Sequence, residues 1–293
     1  NVLGRRLLFD GNRAVGVEAE SGGELFNIEA DQIVLSAGAI ASPHILMLSG
    51  VGPAENLTAN GIEVVKNIPG VGQNLRDHPL VAVRAKTKED FPLDPNAPRM
   101  QTLLRYTATG SKDRNDIQIF PSSFSTSLGG DPFAEEGIRL TCMLELAEGS
   151  GEITLTTTDP TVQPNINCRY LEHPRDRDRL REAVQIAIGI LKHQSFENIV
   201  ESLIEPTEKD LESEDALDEW MLSHVWIGQH LSGTCKMGPE NDQMAVVDQR
   251  GKVHGIEGLR VADASIMPDC IRANTNLTTI MIGERIADWI ANS

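Results

Sequence analysis

The sequence predicts a mixed fold in which an α/β domain is interrupted by an α+β domain. Near the N-terminus a short apolar run precedes a helix start signal, and the same order returns near the C-terminus. Between them, several alternating segments are followed by one amphipathic helix, an order typical of an α+β domain. We therefore expect residues 1–75 and 229–293 to form one domain and residues 76–228 the other. A chain of 293 residues can bury two cores.

The first segment contains signals for a hairpin, a strand and a helix. Phe9–Arg13 (FDGNR) has the composition of a hairpin turn. Ile33–Leu35 is a short continuous apolar run, typical of a strand covered on both faces. Ser42 followed by Pro43 predicts an N-cap and a first helical residue, and Gly50 predicts the end of that helix.

The middle segment alternates between apolar and polar residues. This pattern predicts antiparallel strands with one wet face at Val81–Ala85, Ile117–Phe120, Arg139–Leu146 and Ile153–Thr157. Arg179–His193 then has an apolar stripe at helical spacing, which predicts an amphipathic helix packed on the strands.

The last segment returns to α/β character. Leu259–Ala262 is a strand candidate, and Leu277–Ile290 is a helix candidate. Asn274 or Asn276 is the expected N-cap of that helix, because asparagine side chains accept hydrogen bonds from the free N–H groups of a first turn.

Composition and charge exclude several classes of partner. A net charge of −17 and a pI of about 4.8 would repel a polyanion, so we expect no nucleic-acid partner. Four widely spaced cysteines without a CxxC pair predict no disulfide framework and no metal site, and they favour a reducing, cytoplasmic location. No apolar run reaches the roughly 18 residues that a membrane span requires.

Two polar segments in the last region offer chemistry. Gln229–Gly238 (QHLSGTCKMG) contains His230, and Asp263–Pro268 (DASIMP) runs on to Asn274. An imidazole has a pKa suited to taking a proton from an alcohol near neutral pH. An amide can bind the same oxygen without competing for its proton. His230 and Asn274 are therefore the candidate catalytic pair.

Four ordered motifs resemble those of the glucose–methanol–choline (GMC) oxidoreductases. They are Gly38–Gly52 (GAIASPHILMLSGVG), Pro69–Pro79 (PGVGQNLRDHP), the His230 segment and the segment from Asp263 to Asn276. The resemblance covers nearly the whole chain and implies an FAD-dependent oxidation of an alcohol to an aldehyde or ketone. It also implies that the outer segments belong to a Rossmann-like FAD-binding domain and that the middle one is a substrate domain with an antiparallel sheet.

The resemblance implies a role for individual residues. His230 takes the alcohol proton while hydride passes to the flavin N5, and Asn274 is the second catalytic residue. The implied FAD contacts are Gly4 at the adenine, Asp263 and Ala264 near the pyrophosphate and ribityl chain, and Asn276, Leu277 and Thr278 beside the pyrimidine ring. Ala37 and Gly38, small residues that permit close approach to the backbone, are expected to contact the cofactor as well. The helix that begins near Asn276 would point its positive end at the ring that gains negative charge on reduction.

The chain departs from the family pattern in two places. Leu231 follows the catalytic histidine where many relatives have proline, and no GxGxxG turn is present to bind the dinucleotide pyrophosphate. We therefore expect this chain to be the C-terminal half of an enzyme, to need the half that carries that turn, and not to hold FAD tightly alone.

Several alternatives stay open at the level of the sequence. A hydroxynitrile lyase on the same scaffold would use the histidine without net redox chemistry, and a non-catalytic partner half would use neither residue. The sequence does not identify the alcohol, and it leaves open a homo-oligomer and the choice between an oxidase and a dehydrogenase.

Overall fold

The computed structural model describes residues 2–91, 94, 96, 98–123 and 137–292 and divides the chain into two compact units. Unit 1 contains the residues up to Asp77, Ser150–Arg169 and the residues from His230 onward, and unit 2 contains His78–Gly149 and Tyr170–Gln229. Residues 150–169, expected in the middle domain, therefore lie in unit 1. The other divisions lie within two residues of the expected boundaries at 75 and 229.

Fourteen strands and five α-helices make up the described fold. The strands are β1 Leu3–Asp10, β2 Arg13–Ser21, β3 Glu24–Glu29, β4 Ile33–Leu35, β5 Val51–Gly52, β6 Lys66–Asn67, β7 Leu80–Thr87, β8 Leu104–Tyr106, β9 Ile117–Ser122, β10 Ile138–Leu144, β11 Glu152–Thr154, β12 Asn165–Asn167, β13 Val200–Glu205 and β14 Leu259–Val261. The helices are α1 Gly38–Leu48, α2 Ala54–Ala59, α3 Pro174–Leu191, α4 Glu214–His224 and α5 Asn276–Ala291, with short 3₁₀ helices at Gln194–Phe196, Lys209–Leu211 and Ala264–Ile266.

In unit 1, β1, β2 and β3 form an antiparallel sheet, and β4 pairs in parallel with β14. The turn between β1 and β2 confirms the hairpin expected at Phe9–Arg13, with Gly11 at φ +57°. The expectation that β4 is covered on both faces is wrong for the described chain, because Val34 is 40% exposed between the buried Ile33 and Leu35.

The start of α1 also differs from the prediction. The helix begins at Gly38, and Ser42 and Pro43 lie inside it rather than at its N-cap. Proline at position 43 has no N–H for the carbonyl of Ala39, one turn earlier. The Thr234 hydroxyl donates to that carbonyl at 2.6 Å instead. A contact from a distant segment therefore replaces the missing helical hydrogen bond. The residues around Pro43 give no sign of this contact.

The core of unit 1 packs around α1. Its fully buried side chains include Leu46, Met47, Val51 and Leu57. The glycine-rich motif Pro69–Pro79, which follows β6, is also closely packed at Gly70. A Cβ on Gly70 would lie 2.1 Å from the carbonyl oxygen of Met244. Close packing thus accounts for a glycine in this motif.

In unit 2 a five-stranded antiparallel sheet has the order β13-β7-β10-β9-β8, and α3 contacts three of its strands. The expectation of one wet face is wrong for β7, because every residue of that strand except Lys86 is buried. The helices α3 and α4 both contact β7, and residues on both faces of the strand, such as Ala82 and Val83, are buried. The predicted strand at Ile153–Thr157 lies outside this sheet, since β11 pairs with β12 in unit 1.

Both long helices form where expected but with shifted starts. α3 begins at Pro174, five residues earlier than predicted, and its stripe of Leu180, Val184, Ala187 and Leu191 is buried as expected. The N-cap of α5 is Thr275, so neither asparagine caps that helix. Among the described helices, none is both long and apolar enough to cross a bilayer.

Candidate functional site

The structure brings the two candidate catalytic side chains together. The Asn274 Nδ2 and the His230 Nε2 lie 3.0 Å apart, although 44 residues separate them in the chain. Asn274 is exposed and His230 is partly buried. Thr275 rather than Asn274 occupies the N-cap position of α5, so the Asn274 amide is not used as a helix cap and can face the imidazole. One ligand oxygen placed against this pair could reach both side chains.

The His230 loop has a constrained backbone. Gln229, the residue before it, has φ +62°, which is uncommon for a residue with a side chain. The His230 N–H donates to Asp77 Oδ1 at 2.8 Å, and the Cys270 thiol donates to the His230 carbonyl at 3.6 Å. These contacts fix both peptide groups of His230 and so restrict where its ring can point.

The protonation state of His230 follows from its surroundings. Burial lowers the pKa of the imidazole below its ordinary value, while the charge of Asp77 opposes that shift in part. A lowered pKa leaves the ring neutral at neutral pH, which is the form that accepts a proton.

Asp263 connects α1 to the strand that precedes the 3₁₀ helix Ala264–Ile266. Its Oδ2 accepts from the Gly38 N–H at 2.9 Å and from the Ser42 hydroxyl at 2.5 Å, and its Oδ1 accepts from the Ser265 N–H at 2.8 Å. The side chain is only 4% exposed. Asp263 therefore holds the turn at Ala37–Gly38 in place, and its carboxylate oxygens are occupied within this chain.

The turn that Asp263 holds is open on its other side. Gly38 has φ +86°, and a Cβ built there would meet no atom within 4 Å. Ala37 beside it is exposed, as are Asn276 and Leu277 at the start of α5. The first N–H groups of α1 and α5 have no acceptor inside their own helices. The Gly38 N–H is occupied by Asp263, whereas small, open residues beside a helix N-terminus leave room for a phosphate or a carbonyl-bearing ring.

The structure does not connect Gly4 to this region by any described hydrogen bond. Gly4 lies in β1 opposite Ala19, where a Cβ would meet only Val17 Cγ1, at an ordinary 3.7 Å. The described neighbours therefore leave room for a side chain at position 4. Thr278, by contrast, lies in the first turn of α5 with Asn276 and Leu277, as the sequence suggests.

Three polar residues around the site were not assigned to it from the sequence, although Ser42 was expected to cap a helix. Asp77 binds the His230 loop, Ser42 binds Asp263, and Thr234 binds the α1 backbone. Asp77 lies within the Pro69–Pro79 motif, and its place in that motif is the feature of the sequence that could have identified it. Within the described ranges, no group of three or more His, Cys, Asp and Glu side chains could hold a metal ion, and none of the four cysteines there forms a disulfide.

Comparisons with known proteins agree on one family. Two models described as GMC oxidoreductase match the chain, one over residues 1–80 and the other over residues 147–283. An uncharacterized GMC-type oxidoreductase of Rhodococcus erythropolis is 37% identical over 280 residues, which is 96% of this chain and 53% of that protein. The oxygen-dependent choline dehydrogenase of an Escherichia coli O6:K15:H31 strain is 36% identical over 311 residues, 97% of this chain and 55% of that one.

A solved structure shows the same fold. Pyridoxine 4-oxidase from Mesorbium loti superposes with a TM-score of 0.90 and 26% identity, over 100% of this chain and 57% of that one. The chain thus spans a little over half the length of the relatives that it matches.

Proposed function

Because the chain belongs to the GMC oxidoreductase family, we propose that it supplies the proton-accepting side of an FAD-dependent alcohol oxidation site. The observation that carries this proposal is the 3.0 Å approach of Asn274 Nδ2 to His230 Nε2. The product would be an aldehyde or ketone, since the alcohol carbon loses one hydride and its oxygen loses one proton. When bound, FAD supplies the two-electron acceptor for that hydride.

His230 is the proposed general base. Its Nε2 takes the proton of the substrate hydroxyl, and the neutral ring favoured by burial is the competent form. The restrained backbone of His230 keeps the ring in one place, which lowers the cost of reaching the reactive geometry. A general base in such a position contributes about 10²- to 10⁴-fold to the rate.

Asn274 is the proposed second catalytic residue. Its amide donates to the substrate oxygen as negative charge develops there, and it carries no proton that competes with the transfer to His230. The residue lies just before α5 without capping it, so its side chain is free for this task.

The residues proposed to hold FAD lie at the open turn Ala37–Gly38, at Asp263 and Ala264 after β14, at the start of α5, and at Gly4 in β1. Ala37 and Gly38 leave room beside the α1 N-terminus, and Ala264 begins the 3₁₀ helix behind them. Asp263 would act by holding that turn, because its oxygens are already bound. Asn276, Leu277 and Thr278 would present the α5 N-terminus to the pyrimidine ring, and Gly4 is the proposed adenine contact.

The proposal is tested by anaerobic flavin reduction in the FAD-loaded protein, reconstituted with the half that carries the GxGxxG turn. Choline and pyridoxine, named in the relatives, join simple primary and aryl alcohols in the panel. Stopped-flow absorbance should show bleaching by at least one alcohol, and His230→Ala should slow it about 100- to 10,000-fold. His173→Ala, an exposed histidine in unit 2, is the matched control and should leave the rate unchanged.

Two outcomes would overturn the proposal. Equal rates for His230→Ala and the unaltered protein would remove the imidazole from the reaction. Cyanide release from a cyanohydrin without any bleaching by alcohols would assign the site to lyase chemistry instead.

A further inference from the structure

We propose that Asp77 is a positioning residue for His230, which holds the His230 loop and places a negative charge that favours the protonated ring formed during the reaction. The inference rests on the proposed role of His230 as the base. Asp77 touches the backbone of His230 rather than the substrate, so it would act through that histidine.

The first argument is geometric. The Asp77 side chain is 6% exposed, and its Oδ1 accepts from the His230 N–H at 2.8 Å. The preceding residue, Gln229, has φ +62°, a conformation that costs free energy for a residue with a side chain. The hydrogen bond from the next N–H, that of His230, to Asp77 stabilises this backbone conformation of Gln229.

The second argument is that Asp77 ends a segment that binds both catalytic loops. Arg76 and Ser232 exchange two backbone hydrogen bonds of 2.9 Å, which hold the chain just after His230. Asn74 Nδ2 donates to the carbonyls of Gly233 and Pro268, each at 3.2 Å. Residues 74–77 thus fix the loop that carries His230 and the loop that leads to Asn274.

The third argument is electrostatic. Burial disfavours the charged imidazole, and the nearby carboxylate of Asp77 favours it. Other ionisable groups at the loop in the described part of the chain include the Cys270 thiol, on the His230 carbonyl, and the Arg76 guanidinium, which is paired with Asp269 at 2.7 Å. Asp269 offsets the charge of Arg76, and the Asp77 carboxylate bonds directly to the His230 N–H.

The contributions of shape and charge can be separated by two substitutions. Asp77→Asn keeps an oxygen that accepts the His230 N–H but removes the charge, whereas Asp77→Ala removes both. Asp248→Asn is the matched control, because Asp248 Oδ1 also accepts backbone N–H groups in unit 1, from Arg250 and Lys252.

The decisive measurement is an NMR titration of the histidine rings in the FAD-loaded protein, with His230→Ala used to assign the His230 signal. Asp77→Asn should move the titration midpoint of His230 to lower pH, and Asp248→Asn should not move it. Asp77→Ala should in addition lower kcat/KM for the best alcohol by about 100-fold, the loss expected from a misplaced reacting group.

The outcomes separate this inference from the proposed function. An unchanged His230 midpoint in Asp77→Asn would overturn the inference, even if His230→Ala abolished alcohol oxidation. An equal loss of activity at all pH values in Asp77→Asn, without a shifted midpoint, would show a structural role only. Full activity of His230→Ala would refute the proposed function, while the titration would still report whether Asp77 acts on the ring.

Discussion

The bond from Thr234 to the α1 backbone gives a stability prediction that can be worked from the structure. Pro43 cannot donate to the Ala39 carbonyl, and the Thr234 hydroxyl occupies that acceptor at 2.6 Å. Thr234 is fully buried, so water cannot replace it. We expect Thr234→Val to lower the free energy of unfolding by about 1–3 kcal/mol, the cost of leaving a buried polar group without a partner.

A second substitution tests the reason for that cost. Pro43→Ala restores an N–H one turn after Ala39, so the carbonyl gains a helical partner. In the Pro43→Ala background, Thr234→Val should therefore cost about 1 kcal/mol less than it does alone. This difference is the coupling free energy of a double-mutant cycle. Thr234→Ser, which keeps the hydroxyl, is the matched control and should cost less than Thr234→Val.

The assay is urea unfolding followed by far-UV circular dichroism for the four members of the cycle and the control. Hydrogen exchange of the α1 amides adds a local measurement, because it reports the free energy of opening of that helix. An identical cost of Thr234→Val with and without Pro43 would refute the reasoning, since the hydroxyl would then not be compensating for the proline.

Three further outcomes are expected. Burial lowers the pKa of His230, so kcat/KM should rise with pH and level off above a midpoint below 6.5, measured from about pH 5 to 9. Asn274→Ala should lower kcat/KM about 100-fold, as for loss of a donor to a developing oxyanion, with little change in unfolding because the side chain is exposed and caps nothing. Arg179→Met should lower the free energy of unfolding by about 3–5 kcal/mol, because it leaves the buried carboxylates of Asp116 and Asp176 without their cation.

Each of these has a contradicting result. A midpoint above the ordinary value for histidine would mean that the charge of Asp77 outweighs burial. An Asn274→Ala protein with unchanged kcat/KM would remove the amide from the reaction. For Arg179→Met the control is Arg285→Met, whose exposed ion pair with Asp288 should contribute less than about 1 kcal/mol, and equal costs would show that burial is not the cause.

Much of the fold was accessible from local patterns. The hairpin at Phe9–Arg13, the strand Ile33–Leu35 and the helix stripe through Leu180 and Val184 all form where the sequence places them. Each has a local signature in the sequence, so turn composition and periodicity are enough to find it. The motif around His230 likewise points to the family without any coordinates.

Two of the errors share one physical cause, which is a contact from far along the chain. α1 begins at Gly38, whose N–H meets Asp263, 225 residues away, and Thr234 satisfies the Ala39 carbonyl. β7 contacts α3 and α4, which come much later in the chain, and it lacks the expected wet face. Neither fact can be read from the residues near α1 or β7.

The residue types that carry the chemistry are therefore a property of the sequence: an imidazole at His230, an amide at Asn274 and small residues at Ala37–Gly38. Their arrangement is a property of the fold. Only packing could bring the His230 and Asn274 nitrogens to 3.0 Å and place the buried Asp77 carboxylate on the His230 N–H. The chemistry of a side chain is set by its residue type, whereas its burial and its distances to other groups depend on the whole of unit 1. Burial and distance in turn determine the pKa of the His230 imidazole and the direction in which its ring points.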